Sequence, residues 1–150
     1  MKVDAPPLLP AGIHHLTSHA LKQIAVDAFP ADIRRVELFS KFLAWREELR
    51  ATGISARAWL DGSFMTEKAG PADIDLVIFL PTGISALTEP QKSRLFGLLD
   101  HATARAVYEL DIYPVDTLDP QFDATESYWR GWFGFCRDKR SAKGIAEVVI

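Results

Sequence analysis

The stretch from Trp59 to Leu80 limits most strongly what this chain can become. An apolar segment ends in Asp61-Gly62-Ser63. Nine residues later, Asp73-Ile74-Asp75 opens an apolar run that continues to Leu80. That run has the length and composition of a buried strand. On a strand, Asp73 and Asp75 point to one face, while Ile74, Leu76 and Ile78 point to the other. Paired carboxylates repel and raise each other's pKa. Such a pair is expected where a divalent cation lies between the acids. Hard oxygen donors suit Mg²⁺, which keeps several waters and takes substrate phosphates as further ligands. Gly62 permits a sharp turn and close backbone approach. A helical turn starting near Ser63 would offer free N–H groups to an anion. A phosphate cradle beside metal-binding acids is the apparatus of phosphoryl or nucleotidyl transfer. The plainer alternative is a hairpin whose acids solvate its turn. An isolated Asp-x-Asp favours that hairpin; Gly-Ser at this spacing, between two strands, favours the site.

The segments around it read as a small α/β (α+β) domain, a mixed or mostly antiparallel sheet flanked by helices. Residues 1–16, with Pro6, Pro7, Pro10 and Gly12, read as an extended arm. His14 and His15 follow, and hydrogen bonding or packing through imidazole is their expected role. Thr17 or Ser18 is expected to cap a short helix that Pro30 ends. Asp32 to Thr52 is the strongest helix, with Asp32 as N-cap and Gly53 as the C′ residue. Its expected core face is Ile33, Val36, Phe39, Phe42, Leu43 and Leu49. Arg34 and Arg35 are expected on a solvated face. Arg57 to Leu60 is the first core strand. Lys68, in the loop before Asp73, is placed to reach a triphosphate.

Thr88-Glu89-Pro90-Gln91 has the form of a capping box. The helix it opens is expected to present Leu95, Leu98, Leu99, Ala102 and Ala106 on one face. Val107 to Val115 reads as the third strand, with Glu109, Asp111 and Tyr113 on a common face. Asp111 lies between apolar residues, where an ionised group is costly unless paired or bound to metal. It is therefore the expected third carboxylate, with Glu109 and Asp116 as alternatives. Tyr128, Trp129, Trp132, Phe133 and Phe135 precede Arg137, Lys139, Arg140 and Lys143. Aromatics interleaved with cations can stack bases and hold phosphates, although core packing is the expected role of most of them. Gly144 to Ile150 reads as a last strand.

The arrangement Gly62-Ser63, nine residues, Asp73-Ile74-Asp75 resembles the signature of the nucleotidyltransferase superfamily that includes DNA polymerase beta and kanamycin nucleotidyltransferase. The resemblance implies that Gly62 and Ser63 hold the triphosphate. It implies that Asp73 and Asp75 bind two Mg²⁺ ions and that Asp111, as third acid, completes the metal site and acts as general base. Two further stretches, Leu9-Pro10-Ala11-Gly12-Ile13-His14 and Tyr128 to Arg137 with Lys143-Gly144-Ile145, resemble the ends of small bacterial nucleotidyltransferase-like proteins. Related minimal enzymes occur as toxins in toxin–antitoxin pairs. The expected reaction is transfer of a nucleoside monophosphate from an NTP to an acceptor hydroxyl on RNA, protein or a small molecule. A homodimer or a toxin–antitoxin partner is expected to help hold the acceptor, because the chain leaves no length for a second domain. The alternative is an inactive nucleotide- or protein-binding module of the same fold. Gly62→Val is expected to weaken NTP binding and spare the fold.

Composition narrows the classes. A formal net charge of −3 argues against binding nucleic acid by bulk charge. The single cysteine, Cys136, excludes an internal disulfide and suggests a reducing cytoplasm. There is no Cys/His cluster with zinc spacing, no run of membrane-spanning length and no signal-peptide core. At 150 residues, one domain is the simplest organisation.

Overall fold

Among the described residues, five strands pair in the order β1-β5-β2-β3-β4. They are β1 (Gly12–His15), β2 (Arg57–Asp61), β3 (Ile74–Leu80), β4 (Leu110–Asp116) and β5 (Gly144–Val149). The structure, a computed structural model, describes residues 4–150. β2 runs antiparallel to both β3 and β5, while β1 is parallel to β5 and β4 parallel to β3. The sheet is therefore mixed, as expected. The extended arm is partly a strand: its last residues are β1, and its first three lie outside the described residues.

Side-chain alternation gives each face of the sheet its own cover. Leu60, Ile74, Leu76, Leu110, Ile112 and Ala146 face a core shared with α1 (Ser18–Lys22), α2 (Ile33–Arg50), α3 (Glu89–Leu99) and α4 (His101–Tyr108). Trp59, Val77, Phe79, Val115 and Ile145 face α5 (Phe122–Phe133), which contributes Phe133, Phe122 and Trp129. Each large side chain buried in this way contributes about 1.5–3 kcal/mol. Among the described residues, no helix is long and apolar enough to cross a membrane.

The helix caps follow the sequence. The Asp32 side chain accepts from Arg35 N at the start of α2, and Thr17 caps α1 by accepting from Ala20 N. Gly53, at φ +92°, lies two residues past the α2 cap Ala51 rather than next to it. Thr88 and Gln91 form the full capping box of α3. Thr88→Ala should cost about 1 kcal/mol, a fall in Tm of roughly 2–4 °C for a chain of this size. Thermal melting of the variant checks this, and an unchanged Tm would show that the box is not coupled to global stability.

The buried stripe of α2 is Arg35, Leu38, Phe39, Phe42, Trp45 and Leu49. Ile33 and Val36 are 73% and 52% exposed, so the helix is rotated from its expected face. The expected long helix after Thr88 is two helices. Asp100, with ψ 122°, leaves the helical region and caps α4 by accepting from Thr103 N. That break turns Ala102 and Ala106 to solvent and buries Ala104 instead. Val107 and Tyr108 belong to α4, so the third strand starts at Leu110.

Candidate active site

Strand register assembles the acids. Asp61 stands opposite Asp75, and Asp75 opposite Asp111. Register partners share a face, so three adjacent strands carry one row of carboxylates on the α5 side of the sheet. Asp73 immediately precedes β3. Asp61, Asp73, Asp75 and Asp111 lie at the same sheet end: β2 finishes there, while β3 and β4 begin there.

The row is largely withdrawn from water. Loss of hydration pushes the Asp61 carboxyl up to about 7, against the opposing effect of Lys143. Asp75 is raised by burial first and then by the charges of Asp73 and Asp111. Asp111 stands beside Asp75 in register on the neighbouring strand, which is why its charge bears on the Asp75 carboxyl. Tyr113 Oη donates to Asp111 Oδ2 at 2.9 Å. Burial, and then this bond, push the phenol up to about 12. Lys143 Nζ is 2.9 Å from Asp61 Oδ2. Arg105 bridges Asp73 at 3.4 Å and Asp111 at 3.6 Å, and His101 Nε2 lies 3.2 Å from Asp111 Oδ1. Two carboxylate oxygens, Asp61 Oδ1 and Asp111 Oδ1, are buried without a hydrogen bond. Buried acceptors normally have a donor, and a bound ion is one of the groups that can stand in for a missing one. Among the described residues, no three acids, histidines or cysteines stand in a metal-holding arrangement.

A close neighbour, Asp75, also requires glycine at position 62. The Gly62 φ of 76° and ψ of −163° lie in a region open essentially to glycine alone. A Cβ there would fall 1.7 Å from Asp75 Oδ2. The close approach is made by the Asp75 carboxylate, so Gly62→Val cannot spare the fold. Ser63 starts a three-residue 3₁₀ turn, Ser63–Met65.

The loop from that turn to Asp73 is tied down by two arginines. Arg35 is fully buried rather than solvated. Its guanidinium donates to the carbonyls of Ala25, Phe64, Thr66 and Lys68. It also lies 3.4 Å from Asp32. Arg34 donates to the carbonyls of Pro71 and Ala72 and pairs with Glu109 at 2.6 Å. Glu109 is thereby removed from the candidate acids. It sits at φ 53° as the cap of α4, not on β4, and Arg34 and Lys41 hold its carboxyl down at about 2. Asp116 ends β4, at the far end of the strand from Asp111, and accepts from Leu118 N. Lys68 is exposed, and its ammonium forms no ion pair among the described residues.

Sequence reasoning did not assign Asp61, the first acid of the row. The signal was present: pairing the two apolar runs as a hairpin sets Asp61 across from Asp75. His101 and Arg105 left no comparable trace, because their approach depends on where α4 packs, whereas strand alternation already put Tyr113 on the Asp111 face. The aromatic segment is α5 and divides between two roles. Trp129 and Phe133 pack on the sheet, with the Trp129 ring 4.6 Å from that of Tyr113, whereas Tyr128 and Trp132 are 59% and 50% exposed. His14 Nε2 lies 2.8 Å from the Pro10 carbonyl, and His15 pairs with Glu147 at 2.8 Å, in line with a hydrogen-bonding role.

A family model described as "Family of unknown function (DUF6932)" matches residues 1–149. The chain belongs to this family. No curated protein and no solved structure matches it. The family description assigns no chemistry, so any functional reading rests on the side chains themselves.

Proposed function

We propose that the chain is a Mg²⁺-dependent nucleotidyltransferase that moves a nucleoside monophosphate from an NTP to an acceptor hydroxyl. The observation that carries this reading is the row Asp61–Asp75–Asp111, with Asp73 at its mouth, built across three strands where like charges otherwise destabilise the sheet. The donors are hard carboxylate oxygens, which suit Mg²⁺, and one of them, Asp111 Oδ1, is buried without a hydrogen bond, with only the ion-pair contacts of His101 and Arg105. Asp73, Asp75 and Asp111 are the proposed ligands for two ions, and Asp61 supports Asp75 from the neighbouring strand. Bound there, Mg²⁺ would neutralise phosphate charge and lower the pKa of the attacking hydroxyl.

The chain's own residues do the rest. Ser63, beside Gly62 at the end of β2, faces the phosphates. Arg105 is half exposed and bridges two acids, so it can turn from them to the triphosphate once their charge is met by metal. Asp111 takes the proton of the acceptor hydroxyl. The hydroxyl oxygen bonds to the α-phosphorus, the bond to the bridging oxygen breaks, and pyrophosphate leaves with that electron pair. Lys68 lies on the loop anchored by Arg35 and is a second candidate phosphate cation.

A binding module without catalysis is favoured by one specific observation: Arg105 and Lys143 already pair with the acids, so the network can stand closed without a ligand. The exposed rings of Tyr128 and Trp132 would then meet a protein partner, such as the other half of a toxin–antitoxin pair. One experiment separates the two readings. The protein is incubated with α-labelled NTPs, Mg²⁺ and cell extract. Label transferred to RNA, protein or a small molecule, and lost with EDTA, supports the enzyme. Absence of transfer with every NTP, together with no Mg²⁺-NTP effect on Tm, would sink it.

A further inference from the structure

A cavity of about 410 Å³ opens away from the acid row. It is bordered by Glu147 and Val149, which stand opposite Trp59 and Arg57 toward the start of β2, whereas Asp61 ends that strand. Its volume falls in the range of small-molecule sites, about 300–1,000 Å³. The other wall is the second half of α2, where Arg46 and Arg50 lie one turn apart, together with Thr17 of the β1–α1 connection and Ser18, the first residue of α1.

Arg46 is the unusual member. Among the described residues its guanidinium has no carboxylate within ion-pair distance, and it donates only to Ser18 Oγ. Its Nε is buried and has no partner. Burial first, and then the charge of Arg50, pull its pKa below the usual arginine range. Arg50 has only an exposed contact with Glu47, at 3.3 Å. One carboxylate does border the cavity, but it is occupied: Glu147 accepts from Trp59 Nε1 at 2.7 Å and pairs with Arg57 at 3.3 Å and His15 at 2.8 Å. Positive charge is therefore left over. Glu47 acts on Arg46 only at a distance and pairs with Arg50, and a half-buried guanidinium without a paired carboxylate is costly unless an anion joins it. The planar fork of arginine matches phosphate oxygens two at a time. Thr17 Oγ1 accepts from Ala20 N, and Ser18 Oγ accepts from Arg46, so each keeps a hydroxyl proton to donate.

We propose that this cavity binds a phosphate group, with Arg46 as its main ligand and Arg50, Thr17 and Ser18 completing the site. The site is separate from the acid row and stands whether or not that row is catalytic. The phosphate is either the free ion or the monoester of a small metabolite, and the two sources share one recognition chemistry.

The test is titration of the full chain, in EDTA, with inorganic phosphate and separately with AMP, read by ³¹P line broadening and by Tm. The wild type should show saturable binding and a rising Tm. Arg46→Gln should bind on the order of tenfold more weakly or worse, while its Tm without phosphate stays equal or increases because an unpaired charge is gone. Asp75→Asn should bind like the wild type. Tighter binding of AMP than of phosphate would assign the site to a monoester, and equal binding to the free ion. Should Arg46→Gln fail to fold, Arg50→Gln carries the same expectation of weakened binding. No saturable response to either probe in the wild type overturns the proposal. So does wild-type affinity in whichever arginine variant folds.

Discussion

Asp75→Asn is expected to lose roughly 10²–10³-fold of Mg²⁺-dependent transfer, the usual cost of deleting one electrostatic group at a reacting centre. Asp75 is central in the row, with Asp61 on one side and Asp111 on the other. No neighbouring acid can replace it without moving a strand. The same substitution should make the metal-free protein more stable. Asp75's pKa is raised by burial and by Asp73 and Asp111. A raised carboxyl favours the fold most while it is protonated, below the unfolded pKa near 4, and that favour is lost as pH climbs through the raised value. Asparagine escapes this loss. Its advantage should therefore be small at pH 4, grow toward pH 8 and reach about 1–2 kcal/mol, or several degrees in Tm. Activity assays and melts at pH 5 and pH 8, with and without Mg²⁺-NTP, measure both effects. Equal activity and equal Mg²⁺-NTP stabilisation in the two proteins would remove Asp75 as a ligand and leave the module reading.

The opposite signs of these effects explain what was legible in the sequence. A buried acid between apolar neighbours is a local anomaly, and local anomalies survive in a one-dimensional reading. Asp73, Asp75 and Asp111 were visible for that reason, as were the capping box at Thr88 and the cap at Asp32. The partners that neutralise the acids were not. Arg105 reaches them from α4, whose separation from α3 depends on Asp100 leaving the helical region. Lys143 precedes β5, and it meets Asp61 only because β5 pairs with β2 rather than with β4. Arg35 is the clearest case. On a helical wheel it reads as a surface cation, yet the loop folded over it supplies three carbonyls, Ala25 a fourth, and it is completely buried. Charge sets where a side chain would sit by default, and loop geometry can overrule it when enough acceptors converge.

Gly62→Ala is expected to be among the most damaging single-methyl changes available to this chain. Two causes act together. The backbone at φ 76°, ψ −163° is one that a side-chain-bearing residue adopts only at a cost of about 1–3 kcal/mol. The new methyl would also fall 1.7 Å from Asp75 Oδ2, so the carboxylate or the turn must shift. Asp75 has little room to yield, because Asp61 and Asp111 flank it in register. A total loss of about 3–5 kcal/mol is expected, at the diagnostic end of point-mutant effects. The two causes separate in a double-mutant cycle. Asp75→Ala removes the atom that the methyl meets but leaves the backbone strain in place. Gly62→Ala combined with Asp75→Ala should therefore recover about 1–3 kcal/mol relative to the sum of the single changes. Urea denaturation of the three variants measures this directly. Strict additivity would mean that Gly62 is glycine for its turn alone and that the Asp75 carboxylate does not press against it. The close packing of the turn on the acid row would then be lost, and with it the geometric reason for grouping Gly62 with the site. A large coupling would instead tie the Gly-Ser turn to the central acid, so that any ligand moving Asp75 would be sensed at Ser63.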